Sequence, residues 1–242
     1  MKTRLAWAAL LWCAAASVDA APPATRAKVR VVLAGDSTVT DDAGWGGAFA
    51  RRLAGDVECV NLAQGGRSSG SFVAEGWWRK CLDLRPDYVL IQFGHNDQPG
   101  HGDRTSDPET SYRKNMTHYV QEARAGGIQP VLVTPLARRE FGADGRIHSS
   151  LAPYAEVVKR IAAEEDVPLI DLHARSIALC ESLGREGCQA ISPRKDDGSF
   201  DGTHLNAKGA ELVAPLVADE LRRAVPGLAP YITSDPVHEE HR

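Results

Sequence analysis

Short apolar runs rich in β-branched residues recur along the chain, and between them the apolar positions fall back to a spacing of three or four. The runs at 29–34, 57–62, 87–93, 130–134 and 167–171 are apolar at nearly every position, as expected of strands buried on both faces of a parallel sheet. The intervening and following segments, 45–54, 72–82, 109–125, 151–165, 174–183 and 207–224, carry helical spacing. In the third, Tyr112, Met116, Tyr119, Val120 and Ala123 share one face. Asp107 can cap that helix and Pro108 suits its first turn, where no N–H is lost. Leu151, Tyr154, Val158 and Ile161 form a similar stripe in the next helix.

Five strands alternating with helices predict an α/β fold, a flavodoxin-like three-layer α/β/α sandwich with a five-stranded parallel sheet. Each parallel crossover must return across one face of the sheet in a right-handed sense. No repeat or linker divides residues 21–242, so they are expected to form a single domain with its core at about 29–224. The polar segments 96–107 and 186–203 are expected to be functional loops, and 235–242 to fray.

The start of the chain belongs to a different class. Lys2 and Arg4 precede an apolar run from Leu5 to Val18, and Ser17-Val18-Asp19-Ala20 offers small residues for cleavage. Residues 1–20 therefore read as a signal peptide, since the run is shorter than the ~20 residues that span a bilayer. The remaining chain is expected in the periplasm or outside the cell, with no membrane partner after cleavage.

Composition adds exclusions more than identity. An apolar fraction of 43% with 25% charged residues is that of a globular chain, and the net charge of −4 gives no support to a nucleic-acid partner. Beyond Cys13, an even set remains: Cys59, Cys81, Cys180 and Cys188. Proximity favours pairing of Cys180 with Cys188, and buried free thiols are the alternative. No Cys or His spacing suggests a metal site, and His95, His101, His118, His148 and His173 are scattered. Asn115-Met116-Thr117 matches a glycosylation sequon inside a helical segment.

Ligands in an open parallel sheet bind beyond the carboxyl ends of the strands, and three polar motifs fall there. Gly35-Asp36-Ser37-Thr38 follows the first strand, Gln64-Gly65-Gly66-Arg67-Ser68 the second, and Gly94-His95-Asn96-Asp97 the third. Near the C-terminus, Asp201-Gly202-Thr203-His204 lets a carboxylate reach one ring nitrogen and leaves the other facing a nucleophile. A serine hydroxyl needs such a base at neutral pH. The Ser37 N–H, the N–H of Gly65 or Gly66, and the Asn96 amide could together stabilise a developing oxyanion.

These four blocks, in this order, resemble the SGNH (GDSL-type) hydrolases over about residues 29–221. More closely they are similar to rhamnogalacturonan acetylesterases, carbohydrate esterase family 12. The resemblance implies Ser37 as nucleophile, His204 as general acid/base, Asp201 as its orienting partner, and an oxyanion hole of Ser37, Gly66 and Asn96. It also implies two-step acyl transfer with no metal or organic cofactor, and an acetylated polysaccharide or oligosaccharide as substrate partner. Trp45, Trp77 and Trp78 could stack on sugar rings, with helix packing the competing expectation for Trp45 and one of the Trp77-Trp78 pair, and Arg67, Arg138 and Arg139 could meet uronate carboxylates or form a solvated face. Competing expectations are an esterase for acetyl-xylan or another acylated glycan, a lipase or thioesterase, and a noncatalytic carbohydrate-binding protein on the same fold.

Overall fold

A computed structural model describes residues 28–233. The expected signal peptide and the expected frayed tail lie outside the described residues. Within them, five strands form one parallel sheet: β1 (Val29–Gly35), β2 (Val57–Asn61), β3 (Tyr88–Gln92), β4 (Gln129–Val133) and β5 (Leu169–Ile170), in the order β2-β1-β3-β4-β5. The expected sheet is therefore present, with every strand within two residues of its anticipated limits.

Alternation along the strands divides the core into two layers. Val31, Leu33, Leu90, Val131 and Val133 face one layer, while Val32, Ala34, Val89, Ile91 and Leu132 face the other. The first layer is closed by α1 (Gly46–Ala50) and the last helix, α7 (Ala207–Ala224). The second is covered by α2 (Ser69–Ala74), α3 (Trp77–Asp83), α4 (Arg113–Ala125) and α5 (Ala152–Glu164). With neighbours on both faces, most central strand residues are apolar, and this is why the runs read as nearly continuous in the sequence.

The helices depart from expectation where backbone geometry intervenes. The single helix expected at 72–82 is two, because Gly76 adopts φ 79°, a left-handed conformation that only glycine takes without strain. The helix expected at 109–125 starts with a π turn, Pro108–Tyr112, capped by Asp107 through the N–H groups of Glu109 and Thr110. The helix expected to stop at 183 does break there, at Gly184 (φ 66°, ψ −179°), and a second helical segment follows directly, so that α6 (Leu172–Ala190) is two helices joined at a kink. Only the first five residues of the expected loop 186–203 are thus helical, and 191–203 are left to shape a site.

All four described cysteines are free thiols. Cys180 and Cys188 both lie in α6, and the Cys188 sulfur is 3.5 Å from the Cys180 carbonyl oxygen. Burial pushes the Cys59 and Cys81 thiols up to about 12, which removes them as competing nucleophiles at neutral pH.

Candidate active site

The sheet order reverses direction at β1, between its neighbours β2 and β3, and the polar residues gather beyond the carboxyl ends of these three strands. The turn after β1 is set by Asp36, a fully buried carboxylate. Its Oδ1 accepts from the Thr38 N–H at 2.9 Å and the Thr38 hydroxyl at 2.7 Å. The turn leaves Ser37 half-buried between two buried neighbours. Below it, Gln92 donates to the Thr38 hydroxyl at 2.6 Å and accepts from the Trp45 indole at 3.0 Å. His95 Nδ1 lies 3.3 Å from Asp36 Oδ2, close enough for an ionic contact but misaligned for a hydrogen bond. Burial alone would raise the Asp36 pKa, but the charge of His95 and the bonds from Thr38 outweigh it and leave the carboxyl below its ordinary value.

The second strand end is tied to the first. The Gln64 N–H donates to the Gly35 carbonyl at 2.9 Å, and the Asn61 amide donates to the Val39 carbonyl at 2.8 Å and to Asp41 at 2.6 Å. A side chain on Gly65 would sit 3.7 Å from Ser37 Cβ, so this glycine pair runs directly beside the serine. Gly66 has φ 77°, and Arg104 donates to its carbonyl. The third strand end closes on the second: the Asn96 amide donates to the Arg67 carbonyl at 3.1 Å, which leaves the second amide hydrogen available. Asp97 accepts from the Ser69 N–H and hydroxyl at the start of α2. Its burial outweighs these bonds and pushes it up to about 6.

Opposite these turns stands the loop before α7. His204 Nε2 lies 2.8 Å from the Ser37 hydroxyl oxygen, and His204 Nδ1 lies 2.7 Å from Asp201 Oδ2. Asp201 Oδ1 accepts from the N–H groups of Thr203 at 2.7 Å and His204 at 3.1 Å. Partial burial would raise the Asp201 pKa, but the bonds from His204 and these two amides hold it down at about 2. The triple of residues thus offers a hydroxyl, a base within proton-transfer distance and an ionised group fixing that base.

Arg139 holds this loop from inside. Its guanidinium donates to the Asp201 carbonyl at 2.9 Å, the Thr203 carbonyl at 3.4 Å, the Ser192 hydroxyl at 2.8 Å, and the His204 carbonyl. The Arg139 backbone N–H adds a bond to Gly202 at 2.8 Å. The side chain is only 8% exposed, so a cation has been buried to satisfy three carbonyls in a loop with no regular secondary structure.

Ser37, Asp201 and His204 are therefore joined by hydrogen-bond distances, and Gly66 and Asn96 stand at the adjoining turns. The expected substrate contacts fare differently. Trp45 is fully buried, bonded to Gln92 and edge-on to Phe49 at 5.7 Å, so it packs α1 against the sheet and is closed to a sugar. Arg67 is neutralised by Glu75 at 2.9 Å and donates to its own turn at Gly65. Trp77 has Lys80 Nζ 3.6 Å above its ring and its N–H on Glu75, which occupies one stacking face. Trp78 is buried with its N–H on Glu122. Arg139 is the internal brace just described. The sequon residue Asn115 donates to the Ser69 hydroxyl at 2.9 Å, inside the support of Asp97.

Gln92, Arg104 and the role of Arg139 were not legible in the sequence. Gln92 offered one signal, a lone polar residue inside an otherwise apolar strand. Arg104 and Arg139 offered none, because their partners are backbone carbonyls from distant segments. Among the described residues no group of three or more His, Cys, Asp or Glu side chains could hold a metal ion, and no helix is long and apolar enough to cross a membrane.

Residues 33–212 match the model of the GDSL-like lipase/acylhydrolase family. The chain is 39% identical over 208 residues to the rhamnogalacturonan acetylesterase RhgT of Bacillus subtilis (strain 168), covering 79% of this chain and 88% of that protein. It is 31% identical over 211 residues to the rhamnogalacturonan acetylesterase of Emericella nidulans, covering 76% and 81%. Among solved structures, Bacillus subtilis YxiM superposes with a TM-score of 0.73 at 28% identity, over 84% of this chain and 58% of that longer one. The acetylxylan esterase Axe2 of Geobacillus stearothermophilus, at 18% identity and a TM-score of 0.62 over 79% and 93% of the two chains, shares the fold. The chain belongs to the GDSL-like lipase/acylhydrolase family and is a carboxylic ester hydrolase of the carbohydrate acetylesterase kind.

Proposed function

We propose that this enzyme removes acetyl groups from rhamnogalacturonan by two-step acyl transfer through Ser37. The observation that carries the mechanism is the continuous line of distances from Ser37 Oγ to His204 Nε2, 2.8 Å, and from His204 Nδ1 to Asp201 Oδ2, 2.7 Å. The polymer rests on two relatives, one bacterial and one fungal, both named for action on rhamnogalacturonan.

In the first step the Ser37 oxygen attacks the acetyl carbonyl while His204 takes the hydroxyl proton. The imidazolium is stabilised by Asp201, which remains ionised. The carbonyl oxygen becomes an oxyanion that receives hydrogen bonds from the N–H groups of Ser37 and Gly66 and from the Asn96 amide. His204 then gives its proton to the departing sugar oxygen, leaving acetyl-Ser37. In the second step His204 takes a proton from water, the hydroxyl attacks the acetyl-enzyme, and collapse of the intermediate returns that proton to Ser37 and releases acetate.

Residues 1–20 act as an export signal in this reading, and 21–242 fold as a single secreted or periplasmic domain. An exported product whose first residue is Ala21 supports that part; a product that retains Met1 contradicts it. The substrate is tested by acetate release from acetylated rhamnogalacturonan, acetylated xylan and p-nitrophenyl acetate, with Ser37→Ala as the control. Release from rhamnogalacturonan well above that from xylan supports the proposal. Rapid release from xylan with none from rhamnogalacturonan overturns the choice of polymer and leaves the chemistry standing.

A further inference from the structure

Two guanidinium groups border the turns at Gly66 and Asn96, and neither faces a carboxylate among the described residues. Arg104 Nη1 donates to the carbonyl of Gly66, and an added Cβ on Gly66 would lie 3.3 Å from that nitrogen. Arg104 is therefore in van der Waals reach of a residue assigned to the oxyanion hole. Arg138 ties the turn after β3 to the histidine loop. It donates to Gln98 Oε1 at 3.0 and 3.1 Å, to the His95 carbonyl at 3.5 Å, and to the hydroxyl of Thr203, the residue before His204. Both cations act on His101, whose pKa is lowered by burial first and then by repulsion from Arg104 and Arg138. Their positive fields thus converge at one place.

The two arginines differ in what they have left to give. Arg138 has hydrogen-bonded through all three of its nitrogens. Arg104 uses only Nη1, so the edge formed by Nε–H and Nη2–H has no partner among the described residues. That edge is the fork that matches the two oxygens of a carboxylate. Arg104 is half-buried, which limits screening by solvent without closing the edge.

We infer that the free edge of Arg104, in the field of Arg138, binds the carboxylate of a uronic acid in the acetylated glycan and makes Arg104 a specificity-determining residue of the esterase. The inference rests on the esterase reading above. In a polymer of uronic acids the ester and the carboxylate occupy the same or adjacent sugars, so a cation beside the oxyanion turn meets an acid whenever the acetyl carbonyl meets Ser37. A neutral acetylated glycan has nothing to offer that edge and leaves the cation's field uncompensated.

The test compares acetylated rhamnogalacturonan oligosaccharides with the same oligosaccharides methyl-esterified at their carboxylates. The intact enzyme should show a higher kcat/KM on the free acid. Arg104→Gln should lower that preference about tenfold, the size of one charge-assisted hydrogen-bonded pair. Arg104→Lys, which keeps the charge and loses the fork, should retain part of it. Because the readout is a ratio between two substrates, a general disturbance of the Gly66 turn cancels. Equal kcat/KM of the intact enzyme on both forms, or an equal loss on both in Arg104→Gln, overturns the inference while leaving the esterase standing. Failure of the intact enzyme to hydrolyse p-nitrophenyl acetate overturns the esterase reading, and this inference with it.

Discussion

The two sides of the site are built on opposite plans. The serine side is a set of short turns that continue three adjacent strands, and its polar side chains bond to one another: Asp36 to Thr38, Thr38 to Gln92, Gln92 to Trp45. The histidine side is an irregular loop between α6 and α7, and the buried cation of Arg139 holds three of its backbone carbonyls. Their carboxylates show the difference. Asp97, deep on the serine side, is pushed up to about 6 by burial, while Asp201 on the loop is held at about 2 despite partial burial by His204 and two amides. A sheet can fix a nucleophile through its own ladder, but a loop that must present a base needs an internal anchor. The base is the group that exchanges protons, so its partner carboxylate has to stay ionised across the working pH range.

Breaking the serine side at its reacting atom should have the largest effect. Ser37→Ala should lower kcat for acetate release by at least ~10⁴-fold, with an unchanged far-ultraviolet spectrum, because only one half-buried hydroxyl is removed. Asn96→Ala comes next. Loss of an oxyanion donor costs about 2.7–4 kcal/mol of barrier, a reduction in kcat of roughly a hundredfold or more. Near-normal turnover in a folded Asn96→Ala enzyme would remove Asn96 from the mechanism.

Arg139→Met addresses the loop. It strands the carbonyls held by the guanidinium and should destabilise the fold by about 2–4 kcal/mol, read as a fall in the denaturation midpoint. It should also lower kcat more than the mutation of a surface arginine such as Arg79, which lies in an exposed i,i+4 pair with Asp83. A variant with normal stability and normal kcat would show that the loop does not depend on Arg139.

The smallest and sharpest effect is spectroscopic. In the carbon-detected titration of the folded enzyme, the Asp201 carboxyl should titrate near 2, against an ordinary value of 3.8, and move back toward that value in His204→Gln. The sign follows from linkage: a lowered native pKa means stability that is fully present above the unfolded value and is lost as pH falls through about 2. Asp97 should behave in the opposite sense. Its raised native pKa means stability that is present below the unfolded value of 3.8 and is lost as pH rises through about 6.

The same contrast governs what could be read from the sequence. Strands buried on both faces announce themselves as apolar runs, so all five were located within two residues, and the polar motifs after β1, β2 and β3 marked the turns where Ser37, Gly66 and Asn96 gather. Asp201 and His204 were legible because a three-residue separation confines the pair to one turn. The internal role of Arg139 was not legible because most of its partners are main-chain carbonyls, which no side-chain pattern records. Trp45 was misread for a related reason: its indole N–H is satisfied by Gln92, a strand residue 47 positions away. The division of the 72–82 helix at Gly76 and the second helical segment that follows the break at Gly184 reflect backbone conformations that helical spacing alone does not resolve.

Covalent labelling of the intact enzyme with a fluorophosphonate, followed by peptide mass mapping, tests the central claim most directly. The account predicts one adduct per chain, on Ser37, with none in Ser37→Ala and a strongly slowed reaction in His204→Ala. Labelling of a different serine at full rate while Ser37 stays unmodified, with acetate release lost in step, would contradict it.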